Sequence, residues 1–103
     1  MTHRVTFHAF AESDLDKIDD FIAQDSPERA IAFVRRIRKH CEQLAEMPES
    51  GPRREELGAG IRTLSFERRV LIIYRIEGQA VRVLRILYAG QDYPANLQDE
   101  PGS

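Results

Sequence analysis

The feature that most restricts this chain is a set of three apolar segments near its C-terminal end with almost nothing between them. Ile61 to Phe66, Val70 to Ile76 and Ala80 to Tyr88 all have strand character, and only Glu67, Arg68, Arg69 and Glu77, Gly78, Gln79 join them. Links that short demand antiparallel neighbours, so the three strands form a meander, with Gly78 free to take the positive φ of a tight turn. A sheet covered by helices on one side should alternate apolar and polar residues. Here Val70, Leu71, Ile72, Ile73 and Tyr74 are apolar on both faces, and Val81, Val83, Leu84, Ile86 and Leu87 do much the same. Two helices do not easily cover both faces, so either the N-terminal helices and loops wrap further round the sheet or a second molecule covers the open side. By strand parity that side carries Arg75 and Arg85 beside Leu71, Ile73, Val81, Val83 and Leu87. Arg82 has the opposite parity to Arg85 and joins them only if the strand bulges or twists.

Upstream, Arg4 to Phe10 shows strand periodicity. A helix is expected over Ala11 to Gln24, its stripe formed by Leu15, Ile18, Phe21 and Ile22, with Ser13 as cap and Asp14, Asp16, Asp19 and Asp20 mostly away from the stripe. The second helix has a clear start: Ser26 as N-cap, Pro27 at the first helical position and Glu28 in the first turn. It buries Ala30, Phe33, Val34, Ile37, Cys41, Leu44 and Ala45, leaves Arg35, Arg36, Arg38 and Lys39 wet, and ends at Pro48 and Gly51. The short link at Asp25 folds the two helices into an antiparallel hairpin. The fold class is thus α+β, in the order β-α-α-β-β-β, with the hairpin on one face of a mostly antiparallel sheet. Residues 1–93 are expected to form one domain, and 94–103 a short flexible tail.

The net charge of −2 hides a segregation. Residues 1–50 carry seven bases against ten acids, residues 51–90 eight arginines against four acids, and the remainder three acids and no base. An arginine-only cluster suits an acidic protein segment or a nucleic acid, because the guanidinium fork pairs bidentately with carboxylate or phosphate. Overall acidity argues against a simple duplex-DNA binder. No apolar run approaches the ~18 residues of a membrane span, and Arg4, Thr6 and His8 interrupt what a signal peptide would keep apolar, so a cytoplasmic protein is expected.

Much chemistry is missing. His3, His8 and His40 lie at no metal-ligand spacing, and the lone Cys41 reads as a buried thiol. Gly58, Ala59, Gly60 precede a strand where a phosphate loop would open a helix. Ser13 and Ser65 are in no nucleophile elbow, and Asp19, Asp20, Glu55 and Glu56 read as solvated. No cofactor or metal is expected. Arg62, Arg85, Tyr88 and Glu67 could together serve an RNase, with arginines on phosphate and Tyr88 or Glu67 moving a proton.

The series Ala11, Asp14-Leu15, Ile18, Ser26-Pro27, Ala30, Phe33, Leu44-Ala45, Pro48, Gly51, Arg54, Glu56-Leu57, Gly60-Ile61-Arg62, Leu64, Phe66, Ile73-Tyr74 and Arg85-Ile86-Leu87-Tyr88-Ala89-Gly90-Gln91-Asp92 resembles the ParE branch of the RelE/ParE toxin superfamily. The likeness spans about Val5 to Tyr93. It implies the toxin of a bacterial type II toxin–antitoxin pair, wrapped by a ParD-like antitoxin across the hairpin and the open sheet face. It further implies DNA gyrase as a target inhibited by binding, with no catalysis, no sequence-specific DNA contact by this chain and no membrane. The residues expected to meet antitoxin or target are Arg54, Arg62, Leu71, Ile73, Arg75, Arg82, Arg85 and Tyr88, the last standing where ParE sequences often have histidine. Two alternatives stay open: a RelE-like ribosome-dependent mRNA interferase, or a non-toxic relative that binds antitoxin and tunes operon repression. Interferases place bases at positions held here by Ile61, Thr63, Leu71 and Gln91, which disfavours cleavage.

Overall fold

The computed structural model describes residues 2–89. Strand β1 (Arg4–Phe7) leads into helix α1 (Ala9–Ala23) and then helix α2 (Pro27–Glu42), which tightens into a 3-10 turn at Gln43–Ala45. A second 3-10 turn at Glu55–Leu57 precedes β2 (Ile61–Phe66), β3 (Val70–Glu77) and β4 (Ala80–Tyr88). The sheet runs β1-β4-β3-β2, with β1 parallel to β4 and the other pairs antiparallel. The expected α+β arrangement is the one observed. Residues 90–103, including the expected tail and Gln91 to Tyr93, lie outside the described residues.

The first helix begins two residues before the sequence suggested. His8 donates its backbone N–H to Val83 as the last link of β1 to the sheet, and its Nδ1 accepts from the Phe10 N–H at 2.9 Å. The cap is therefore His8, and Ser13 falls inside the helix. With α1 starting this early, Phe10 points outward and is 63% exposed. The second helix starts as its sequence dictates, with Ser26 Oγ accepting from the Arg29 N–H at 3.2 Å and Pro27 in the first turn. Lys39 and His40 close its last turn, where positive charge suits the helix dipole.

The helices pack one face each onto the sheet. Leu15, Ile18, Phe33, Ile37, Cys41 and Leu44 meet Val70, Ile72, Tyr74, Val81, Val83, Ile86 and Tyr88 in one cluster. Each large aliphatic side chain buried there stabilises the fold by roughly 1.5–3 kcal/mol. Burial pushes the Cys41 thiol up to about 12, so it stays protonated and unreactive in the folded chain.

A β-bulge decides which residues of β4 face which side. Pairing runs Ile73 to Arg85 but then Tyr74 to Val83, so Leu84 is the extra residue. Below the bulge, Val81 and Val83 turn into the core and Arg82 turns away from it, opposite Arg75. Strict alternation placed Val81 and Val83 on the open face; the additional residue inverts that parity and brings Arg82 there instead.

Both hairpin turns need left-handed backbone. Gly78 supplies it between β3 and β4 (φ +61°), as its lack of a Cβ allows. Between β2 and β3, Glu67 (φ +52°) and Arg68 (φ +62°) adopt it without glycine. That geometry resembles a mirror-image hairpin turn, and the Arg69 N–H closes it onto Phe66 O at 3.1 Å. The turn is tied to α2, since Arg36 holds Glu67 through two hydrogen bonds of 3.0 Å each.

Candidate interaction surface

The face of the sheet away from the helices is built by alternate residues of all four strands. At its centre, Ile61, Ile73 and Leu87 are 7%, 6% and 5% exposed, and Leu57, Leu71 and Leu84 pack around them. This face is apolar, as expected, but its middle is already partly covered. The chain returns across it before β2 and sets Leu57 of the 3-10 turn on the cluster. Backbone bonds fasten this segment: Thr63 N–H to Pro52 O (3.2 Å) and Arg54 N–H to Ile61 O (2.7 Å). The large apolar side chains that do stand in solvent lie elsewhere: Phe10 and Phe21 on α1, Ile31 on α2 at 55% exposure and Met47 at 65%.

The eight residues singled out from the sequence divide into two groups. Leu71, Ile73, Arg75 and Arg82 share the open face, the two arginines directly opposite each other in register. Arg75 is held by Glu77 (2.8 Å), whereas Arg82 forms no salt bridge with a described residue. Arg54 is in the segment that crosses this face and pairs with Glu56 at 2.6 Å, a hydrogen bond that holds the Glu56 carboxyl below its ordinary range.

The other three have internal partners. Arg62 stands opposite Tyr74, and its Nη1 donates to Gly51 O at 2.7 Å. Tyr74 itself donates to Pro48 O (2.8 Å) and accepts from the Gly51 N–H (2.9 Å), and its burial raises its pKa. Arg62 and Tyr74 together pin the loop after α2. Gly51 permits the approach, because a Cβ there would stand 2.4 Å from Thr63 O. Tyr88 faces the core against Phe21 and Phe33, with ring centroids 5.9 and 5.5 Å away.

Arg85 is drawn to the edge of the sheet beyond the end of β1. Its Nε and Nη2 donate to the two carboxylate oxygens of Asp14 at 2.8 and 3.0 Å, and the Ile86 N–H donates to Asp14 Oδ2 at 2.8 Å. The Asp14 hydrogen bonds raise the Arg85 pKa further. Asp14 is only 6% exposed, not on the wet side of α1 where composition put it. The signal was present in the spacing: Ala11, Asp14, Leu15 and Ile18 fall at i, i+3, i+4 and i+7, the stripe that faces the sheet. Arg38, read as wet, likewise pairs with Glu12 at 2.6 Å and lies over the Phe7 ring.

Among the described residues no group of His, Cys, Asp or Glu could hold a metal ion, and no helix is long and apolar enough to cross a membrane.

A family model described as the ParE toxin of the type II toxin–antitoxin system parDE matches residues 5–93. The chain belongs to the ParE toxin family. Among solved structures it is similar to a chain of the chromosomal ParDE toxin–antitoxin system from P. aeruginosa, at 28% identity and a TM-score of 0.72. That match covers 84% of this chain and 96% of the other. It shares its fold with a chain of the toxin–antitoxin complex RelBE2 from Mycobacterium tuberculosis, at 23% identity and a TM-score of 0.61, over 85% of this chain and 99% of that one. No curated protein matches it. The ParE assignment accounts for the element order and for the residue series that carried the resemblance.

Proposed function

We propose that this ParE-family toxin acts by binding, with DNA gyrase as its target, and that an antitoxin of the ParD kind neutralises it. The observation that carries this reading is the composition of the open sheet face. The positions expected to hold bases in a ribosome-dependent RNase are Ile61, Thr63 and Leu71, and in the fold they stand together around Ile73 and Leu87. A transferring phosphate develops negative charge that isoleucine, threonine and leucine side chains cannot neutralise. An apolar, partly covered surface of this kind suits contact with another protein. The solved ParDE relative supports an antitoxin partner. For that partner, Leu71, Ile73, Arg75, Arg82 and Arg54 are the proposed open-face contacts. Arg62, Arg85 and Tyr88 act through the shape they maintain.

The test is expression in a bacterial host with an SOS reporter, alone and together with the reading frame immediately upstream. Growth arrest with SOS induction, relieved by the upstream product, supports the reading. Arrest without SOS induction and with cleaved messenger transfers the chain to the interferase class. No arrest at all leaves only antitoxin binding.

A further inference from the structure

A cavity of about 540 Å3 lies between the helical hairpin and the β2–β3 turn, on the side away from the open sheet face. Its volume is within the roughly 300–1,000 Å3 usual for small-molecule sites. One wall is aromatic. Phe21 is 39% exposed and stands edge-on to Tyr88, whose ring is buried against Phe33. The Tyr88 hydroxyl makes no hydrogen bond with any described residue. Arg29, Arg36 and Arg69 also line the space. Arg36 is taken up by Glu67, but neither Arg29 nor Arg69 forms a salt bridge with a described residue. Asp25 and Glu67 add two carboxylates to the polar lining.

We propose that this cavity binds a phosphorylated nucleoside, its base against the exposed ring of Phe21 and its phosphate on Arg29 and Arg69. An exposed aromatic face takes any base by stacking, and the guanidinium forks of Arg29 and Arg69 match phosphate oxygens, Arg69 also lying close enough to Glu67 to help hold that carboxyl below its ordinary range. Asp25 and the Tyr88 hydroxyl then face ribose hydroxyls or base amines, not the anion. An acidic peptide is the poorer fit. The lining residues of α1 and α2 have their backbone groups bonded within the helices, so little is left to hold an extended main chain. The ligand is either a free nucleotide or the 5′-phosphorylated end of a single strand, which share this chemistry.

The test is a titration of the isotope-labelled full chain, followed by amide shifts, with AMP, adenosine, inorganic phosphate and a short oligonucleotide with or without a 5′-phosphate. AMP is expected to shift Phe21, Arg29 and Arg69 and to saturate at millimolar concentration or below. Adenosine and phosphate alone should each bind at least about tenfold more weakly. The double variant Arg29→Ala/Arg69→Ala changes exposed side chains, so its melting temperature should hold while AMP affinity falls at least about tenfold. Tyr88→Phe keeps the ring and should weaken binding a few-fold. A 5′-phosphorylated oligonucleotide that binds more tightly than AMP identifies a strand end as the ligand; equal affinity identifies the free nucleotide. The proposal is overturned by absent shifts at millimolar AMP, by phosphate binding as well as AMP, or by unchanged affinity in the double variant. Its failure would leave the gyrase reading untouched.

Discussion

Replacing Asp14 with alanine should destabilise the fold more than any other single charge removal in the chain. The side chain is 6% exposed and receives three hydrogen bonds, two from Arg85 and one from the Ile86 N–H. Leaving a buried N–H without a partner costs about 1–3 kcal/mol. Breaking a fully buried ion pair costs about 3–5 kcal/mol, but the Arg85 side chain is 33% exposed, so solvent recovers much of that and about 1–2 kcal/mol remains. The sum is about 3 kcal/mol, a large share of the roughly 5–15 kcal/mol that holds a domain together. Asp14→Asn keeps an oxygen for the Ile86 N–H and should lose only about 1–2 kcal/mol. Arg85→Ala strands the carboxylate and should fall between the two. Urea unfolding with a double-mutant cycle measures all of these, the coupling expected at about 1.5–3 kcal/mol. If Asp14→Ala unfolds within about 0.5 kcal/mol of the parent chain, the bulge in β4 is not held by α1 and the reasoning fails.

At Gly51, an added Cβ would sit 2.4 Å from Thr63 O and 2.8 Å from the Tyr74 hydroxyl, so Gly51→Ala should cost about 1–3 kcal/mol in thermal unfolding. Arg68 has φ +62° and no partner among the described residues, so Arg68→Gly should raise stability by about 0.5 kcal/mol, relief of strain outweighing the added chain entropy. Hydrogen bonding to Arg36 holds the Glu67 carboxyl below its ordinary range, so that pair's small contribution is present above the unfolded carboxylate pKa and is lost as pH falls through the lower folded value. An acid titration of stability in which Arg36→Ala behaves like the parent chain would contradict this. Cys41 is raised from 9.0 to about 12, so the unfolded chain releases its proton first and stability declines as pH rises above 9, by roughly 1.4 kcal/mol at one unit beyond. Cys41→Ala should flatten that alkaline limb, and a thiol reagent should label the parent chain only as it unfolds.

The element order was legible because it rests on local signals: Ser26-Pro27 at a helix start, Gly78 in a tight turn, and runs long enough to show their period. The bulge was not, since a period of two contains no mark of an inserted residue; only the paired strand reveals that Leu84 is extra. That one residue decided the sides of Val81, Val83 and Arg82. Arg62 and Arg85 were noticed as important, but their partners, the Gly51 carbonyl and Asp14, are 11 and 71 residues away and no periodicity connects them. Tyr88 attracted attention for its hydroxyl, while the packing of its ring against Phe21 and Phe33 had no local signal. The apolar open face was read from composition. Its partial cover by Leu57 was missed because a loop rich in proline, glycine and charge shows no stripe to betray which side chain turns inward.

The central claim is that this chain disables a protein target by contact and cuts nothing. Purified chain added in increasing amounts to gyrase and relaxed plasmid, with a parallel primer-extension reaction on ribosome-bound messenger, tests it directly. The account predicts that supercoiling falls with dose while the messenger stays full length. Undiminished supercoiling together with new messenger ends would contradict it.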